Sequence, residues 1–200
     1  MNYLFHIYFS TTDPATQLGA CLGDFYKGNI ANLDCSTALK KGLALHRALD
    51  TFADTHPLLL HCRAAFPKEQ RRMAGIALDI FFDHFLAKHW ESYCTIPLQT
   101  FCQTFYTTTK PLTPLLTPEA AYVHSLIANE NWLAAYADLK TITFVLTRMS
   151  RAIHFKNTLE ETPQTLIAQY AFFEDAFRQF IHSALKSFEQ GHENAWQRGI

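Results

Sequence analysis

The sequence lacks the motifs that identify several large enzyme classes. It contains no G-x-x-x-x-G-K-[ST], G-x-G-x-x-G or G-x-S-x-G pattern and no H-E-x-x-H unit. The pair of E-x-x-H units that helical di-iron proteins need is also missing. These absences disfavour nucleotide P-loops, dinucleotide-binding folds, serine hydrolase elbows, zincins and di-iron bundles.

The chain also lacks the features of secreted, membrane-spanning and strongly charged proteins. Its five cysteines are an odd number without a C-x-x-C pair, so a disulfide framework is not expected. No apolar run approaches the roughly 18 residues that cross a bilayer, and the first residues show neither a basic segment nor a small-residue cleavage site. The net charge of −1 gives no overall attraction for nucleic acid or an acidic membrane. We expect a soluble, cytoplasmic protein with reduced thiols.

Apolar and aromatic side chains are abundant. The 200 residues are 48% hydrophobic and include 17 phenylalanines, which is enough for one globular domain with a substantial core. We find no strand-like alternation, internal repeat or linker, and the capping residues and prolines are those of helices. The sequence predicts one all-α, multi-helix bundle over residues 1–190, followed by a polar tail at 191–200.

Capping residues and prolines predict the helix boundaries. Asp13 followed by Pro14 begins one helix, and Asp34 is expected to cap the next. An apolar stripe that begins at Leu166 and recurs at spacings of three and four predicts a continuous last helix. The predicted helices cover residues 14–27, 35–54, 57–66, 68–93, 97–109, 119–128, 131–136, 138–154 and 166–188, with a proline-rich loop at 110–118.

Two pairs of residues within these helices indicate a cation. Asp79 and Asp83 are four residues apart, as are His46 and Asp50, so each pair shares one helix face. Both pairs lie within apolar arcs, where ionised carboxylates are too costly to bury without a positive partner. A divalent metal held between two helices is the simplest partner, and a buried salt-bridge network that includes Arg47 is the alternative.

Histidine and aspartate from several segments form a mixed set of nitrogen and oxygen ligands. Such a set suits Mn²⁺, Fe²⁺ or Mg²⁺, whereas an all-thiolate zinc site is not supported. The high count of ten histidines strengthens this expectation. The candidates in chain order are His6, Asp24, Lys27, His46, Arg47, Asp50, Asp79, Asp83 and His84.

The segments that carry these candidates resemble one protein family. They are MNYLFH at residues 1–6, LGDFYKGN at 22–29, LHRALD at 45–50 and LDIFFDHFLAKHW at 78–90. In this order and at these intervals they resemble the acyl carrier protein phosphodiesterase family, which is similar to an atypical branch of the HD-type metal phosphohydrolases. A weaker match continues through NWLAAY at 131–136 and RMSR at 148–151.

The resemblance implies an all-α, HD-like fold and a Mn²⁺-dependent hydrolase, with Mg²⁺ or Fe²⁺ as alternative metals. The implied substrate is holo-acyl carrier protein of fatty acid biosynthesis, which is cleaved to 4′-phosphopantetheine and the apo protein with a free serine. Carried over residue by residue, the implied metal ligands are Asp24, His46, Asp50 and Asp79, with Asp83 nearby. No contiguous His-Asp doublet occurs, so the ligand set of ordinary HD enzymes does not transfer directly.

The remaining candidates suit phosphate binding or proton transfer. Arg47 fits a phosphoryl oxygen because its planar fork binds two oxygens at once, and pairing with the carboxylate three residues later is the competing role. Lys27 either binds phosphate or caps the C-terminal end of its helix. His84 projects away from the acidic pair and is expected to support the ligands or to protonate the leaving group. His6 is a ligand or a proton donor.

Two other functions compete with this interpretation. One is an HD-like phosphohydrolase of a nucleotide or another small phosphodiester, which the lack of an aromatic and basic cluster for a base disfavours. The other is a non-catalytic helical binding module, which would carry no stoichiometric metal. For an acidic carrier protein we expect a basic surface near the ligand helices, formed by Lys40, Lys41, Arg63, Lys68, Arg71 and Arg72.

Overall fold

Helices provide the regular structure of the chain. The computed structural model describes residues 2–188, and no strand occurs among them, which confirms the all-α prediction. The HD-like label stays a prediction, and the predicted tail at 191–200 lies outside the described residues. The α-helices are α1 (Tyr3–Tyr8), α2 (Pro14–Cys21), α3 (Thr37–Thr55), α4 (Pro57–Ala65), α5 (Ala74–Lys88), α6 (Leu98–Thr109), α7 (Pro118–Asn129), α8 (Trp132–Ala135), α9 (Leu139–Ala152), α10 (Thr162–Ala168) and α11 (Tyr170–Phe188).

Side-chain caps begin several of these helices. Asp13 caps α2 and Pro14 occupies its first position, as predicted. The cap of α3 is Ser36, whose side chain accepts the backbone N–H of Leu39, and not Asp34 as the sequence predicts. A capping oxygen reaches only the N–H groups two or three residues ahead, so Asp34 lies too far from the first turn.

The segment after α2 is not helical to the predicted end. The helix stops at Cys21, and a 3₁₀ turn at Gly23–Phe25 follows it. Gly28 then adopts a φ of +83°, the left-handed conformation that glycine allows without strain. This irregular segment carries the predicted site residue Asp24.

Two other predicted helices are divided. The predicted helix at 68–93 consists of α5 with a 3₁₀ turn on each side, and the predicted last helix consists of α10 and α11 separated at Gln169. Apolar periodicity predicts which side chains face the core but not where the backbone bends. The apolar side chains on both sides of a short turn still face the core. The proline-rich loop predicted at 110–118 contains a 3₁₀ helix, Lys110–Leu115.

Helix α5 lies at the centre of the bundle. It is apolar on nearly all sides, and α1, α4, α9, α10 and α11 all contact it. Residues 80–87 of this helix are buried without interruption. No helix in the described part of the chain combines the length and the apolar character needed to span a bilayer.

Helices α2 and α3 cross at two glycines. A Cβ added to Gly19 would lie 2.2 Å from the carbonyl oxygen of Leu39, and one added to Gly42 would lie 2.1 Å from that of Thr16. Only glycine therefore permits the two backbones to approach this closely. The crossing places the end of α2 and the turn that follows it against the middle of α3.

Candidate metal centre

Three of the predicted site residues meet between α1 and α3. The Nε2 of His46 lies 3.1 Å from one carboxylate oxygen of Asp50, and the Nε2 of His6 lies 3.3 Å from the other. The two imidazole rings stack with their centroids 3.9 Å apart. One ligand atom from each of the three residues lies within 4.8 Å of the other two, which is the geometry of a site for a single ion.

Asp24 approaches this cluster from the 3₁₀ turn after α2. Its Oδ1 lies 3.6 Å from the Nε2 of His46, and its side chain is 70% exposed. His6 and His46 are buried, whereas Asp50 is half-buried. The cluster is therefore closed on the side of the histidines and open to solvent on the side of Asp24.

His46 is oriented by a backbone carbonyl and a glycine. Its Nδ1 lies 2.8 Å from the carbonyl oxygen of Ala20, which can only accept, so Nδ1 carries the proton. A Cβ added to Gly23 would lie 2.3 Å from the ring Cγ, so the imidazole packs directly on the glycine backbone. The Nε2 is buried, and it faces the carboxylate oxygens of Asp50 at 3.1 Å and Asp24 at 3.6 Å. This arrangement directs the other ring nitrogen at the carboxylates, as in metal-binding histidines.

The two histidines have opposite pKa shifts. Burial lowers the pKa of His6 to about 4. Burial also opposes protonation of His46, but its hydrogen bonds with Asp24 and Asp50 outweigh that effect and raise the pKa to about 9. Burial would raise the pKa of Asp50, yet hydrogen bonds with both histidines hold it well below its usual range. The cluster therefore requires a positive charge beside the Nε2 of His46, supplied by a proton or by a metal ion.

Asp83 has a structural role at the start of α1. Its two carboxylate oxygens accept the backbone N–H groups of Leu4 and Phe5 at 2.8 and 2.9 Å. Burial raises its pKa to about 7 despite these bonds. The side chain is not part of the three-residue cluster. The N–H groups at a helix N-terminus thus stabilise a buried carboxylate as a cation would.

Asp79 lies one turn earlier on α5 and beside the cluster. It is half-buried, and burial raises its pKa. The charge of Asp50 raises this pKa further, while the charge of Arg63 lowers it. Asp79 thus interacts electrostatically with the cluster but is not one of its three members.

The other predicted residues have contacts of their own. Arg47 donates a hydrogen bond of 2.9 Å to the carbonyl oxygen of Tyr26, which holds the segment carrying Asp24 against α3. Lys27 is exposed in the same segment. The structure does not bring His84 into the cluster. Its Nδ1 lies 2.8 Å from the carbonyl oxygen of Tyr136, and its Nε2 lies 2.8 Å from the hydroxyl of Tyr170.

The opposite shifts of His6 and His46 predict how the stability of the metal-free protein depends on pH. His46 binds its proton more tightly when folded, so its contribution is fully present below about pH 6.5 and is lost as the pH rises through about 9. His6 binds its proton more weakly when folded, so stability is also lost as the pH falls from about 6.5 through about 4.

Thermal unfolding of chelator-treated protein measures these two contributions as differences between the wild type and each histidine variant, because the raised pKa of Asp83 adds a loss of stability up to about pH 7 that all three proteins share. His46→Gln should remove most of the alkaline decline, and His6→Gln should remove most of the acidic one. Variants whose midpoints follow the same pH dependence as the wild type would contradict the assigned shifts.

Gly23→Ala should disturb the centre while leaving the fold intact, because the added methyl collides with the imidazole of His46. NMR of the histidine rings should show a lower pKa for His46 and faster exchange of its Nδ1 proton. Gly75→Ala is the matched control, since its added Cβ would lie 3.7 Å or more from its nearest neighbours. An unchanged His46 signal in Gly23→Ala would show that the glycine does not position the ring.

Comparison with known proteins identifies relatives along nearly the whole chain. A family model described as acyl carrier protein phosphodiesterase matches residues 1–184. A curated protein of that name from Serratia proteamaculans is 37% identical over 151 residues, which are 75% of this chain and 78% of the relative. Relatives of the same name from Photorhabdus laumondii and Yersinia pestis are 33% and 30% identical, and their alignments cover 94% and 93% of this chain and 96% of each relative.

No solved structure gives a significant match. The matched region contains each member of the cluster and the whole of α1 to α10. The resemblance in the four sequence segments is therefore confirmed, and the chain belongs to the acyl carrier protein phosphodiesterase family, a family of phosphodiester hydrolases.

Proposed function

We propose that this chain hydrolyses the phosphodiester that joins 4′-phosphopantetheine to a serine of holo-acyl carrier protein, and so produces the apo protein. Membership of the family and the names of the relatives support this substrate. The observation that carries the proposal is the cluster of His6, His46 and Asp50, which suits a divalent metal and opens to solvent beside Asp24.

The residues present fit a divalent metal ion. His6 and His46 offer imidazole nitrogens and Asp50 offers a carboxylate, a set that suits Mn²⁺ or Fe²⁺. The Nε2 of His46 is buried and faces the carboxylates of Asp24 and Asp50, and the hydrogen bond of Nδ1 holds the ring in the tautomer that binds metals. We propose Mn²⁺ as the cofactor, with Mg²⁺ and Fe²⁺ as alternatives. When bound, such an ion polarises a phosphoryl oxygen and lowers the pKa of a coordinated water.

Asp24 is the member of the site that a substrate meets first. The hydrogen bond with His46 lowers its pKa, so its carboxylate is ionised at neutral pH and suited to a cation. Its exposure leaves room for a phosphodiester carried by another protein. Arg47 keeps Asp24 near the cluster through its hydrogen bond to the carbonyl oxygen of Tyr26, so we assign Arg47 a positioning role.

The basic surface expected for an acidic partner is smaller than the sequence suggests. Lys40 and Arg71 donate to backbone carbonyls, and Arg63 pairs with a neighbouring aspartate. These three side chains therefore have partners within the fold. Arg71 is exposed but is held by these hydrogen bonds. We propose that the docking charges are those of Lys41, Lys68 and Arg72, which are exposed and make none of these contacts.

Intact mass spectrometry of holo-acyl carrier protein tests the proposed reaction. Incubation with this protein and Mn²⁺ should reduce the carrier mass by that of the phosphopantetheine arm, and a chelator should prevent the change. The proposal would be refuted if the carrier protein kept its phosphopantetheine arm both with Mn²⁺ and with the chelator. Stoichiometric metal with hydrolysis of only small phosphodiesters would favour an HD-like phosphohydrolase of nucleotides, and protein without metal or activity would favour a binding module.

Substitutions should separate the ligands from the structural carboxylate. We expect Asp24→Ala, His6→Ala, His46→Ala and Asp50→Ala each to lower turnover by more than about tenfold, because they remove charge or donors at the ion. Asp79→Ala should also lower turnover, because it removes a charge that interacts with Asp50. Asp83→Asn is the contrasting variant. It should lower the melting temperature by weakening the cap of α1 yet retain bound Mn²⁺. The metal mechanism would be excluded if the first four variants kept the turnover of the wild type in the presence of a chelator.

A further inference from the structure

Arg63 is a cation near the candidate centre that the proposed reaction does not yet use. It lies in the last turn of α4, and its Nη2 pairs with a carboxylate oxygen of Asp54 at 2.5 Å. Asp54 follows Asp50 by four residues on α3, so the two carboxylates project from the same face of the helix. The guanidinium of Arg63 is therefore paired with a carboxylate that lies one helical turn from Asp50.

One nitrogen of this guanidinium has no partner. The side chain of Arg63 is 32% exposed, yet its Nε is buried and makes no hydrogen bond. A buried N–H without an acceptor costs free energy, so such groups are rare in folded proteins. The guanidinium faces Gly75 of α5, where an added Cβ would lie 3.7 Å from Nη2 and 3.9 Å from Nε. The gap holds a single added carbon in ordinary contact, so Nε reaches a ligand when the guanidinium turns away from Asp54.

Arg63 is a positive charge among the carboxylates around the cluster. Asp79 on α5 interacts with both Asp50 and Arg63, so the guanidinium lies within electrostatic reach of the carboxylates around the cluster. A phosphodiester is itself an anion, and these carboxylates oppose its approach. A guanidinium offsets that repulsion, and its Nε and Nη groups match two phosphoryl oxygens in one plane.

We propose that Arg63 is a substrate-binding residue whose guanidinium leaves Asp54 and binds the non-bridging oxygens of the phosphodiester through Nε and an Nη. This inference rests on the proposed phosphodiesterase function. Asp54 is then a competing partner that holds the side chain in place when no phosphate is bound. Arg47, which the sequence suggested for this task, is engaged with the carbonyl oxygen of Tyr26.

Binding of inorganic phosphate to the Mn²⁺-loaded protein, measured by calorimetry, tests this role. Arg63→Gln should weaken phosphate binding by roughly 10- to 100-fold, the range for loss of charge-assisted hydrogen bonds. Asp54→Asn removes the same ion pair but frees the guanidinium, so it should bind phosphate as tightly as the wild type or more tightly. Lys140→Gln removes an exposed charge on α9, outside the centre and the docking set, and should leave the affinity unchanged.

The paired variants distinguish binding from a purely structural role. If Arg63 only stabilises the fold through Asp54, both Arg63→Gln and Asp54→Asn should lower the melting temperature and phosphate affinity together, and that result would overturn the proposal. Equal affinity of wild type and Arg63→Gln, or no phosphate binding by the wild type, would also overturn it. A wild-type protein that binds phosphate through Arg63 but leaves holo-carrier protein intact would refute the proposed function alone.

Discussion

The candidate centre depends on how closely α2 approaches α3. The glycines at the crossing, Gly19 and Gly42, let the backbones meet at distances that any Cβ would prevent. The approach brings the carbonyl oxygen of Ala20 to the Nδ1 of His46 and the backbone of Gly23 to the face of its ring. The orientation of His46 is thus a consequence of helix packing, and the direction of its other nitrogen follows from it.

The second half of the centre depends on α1. This helix is short, and the carboxylate of Asp83 in α5 anchors its first N–H groups within the core. That anchor fixes the position of His6, whose ring stacks on His46. Asp83 therefore supports the site indirectly, because it holds the backbone of the helix that carries His6. Asp50 and Asp83 each end a pair of residues spaced by four, yet Asp50 meets two imidazoles and Asp83 meets backbone N–H groups.

Sequence patterns predicted the all-α class, most helices and the shared face of His46 and Asp50, because periodicity and capping are local properties. They did not show that Asp83 meets backbone donors or that His84 bonds to groups on distant segments, since both depend on tertiary contacts. The sequence pattern does not indicate a role for Gly23, although this residue directly precedes Asp24. Its importance becomes visible only when an imidazole from another helix lies on it.

The central claim is that His6, His46 and Asp50 together hold one divalent ion. Anomalous diffraction at the manganese edge, from crystals of the protein grown with Mn²⁺, locates such an ion directly. The account predicts one strong peak within bonding distance of an imidazole nitrogen of each histidine and of the Asp50 carboxylate. A peak at Asp83 instead, or none at the cluster in crystals of active protein, would contradict it.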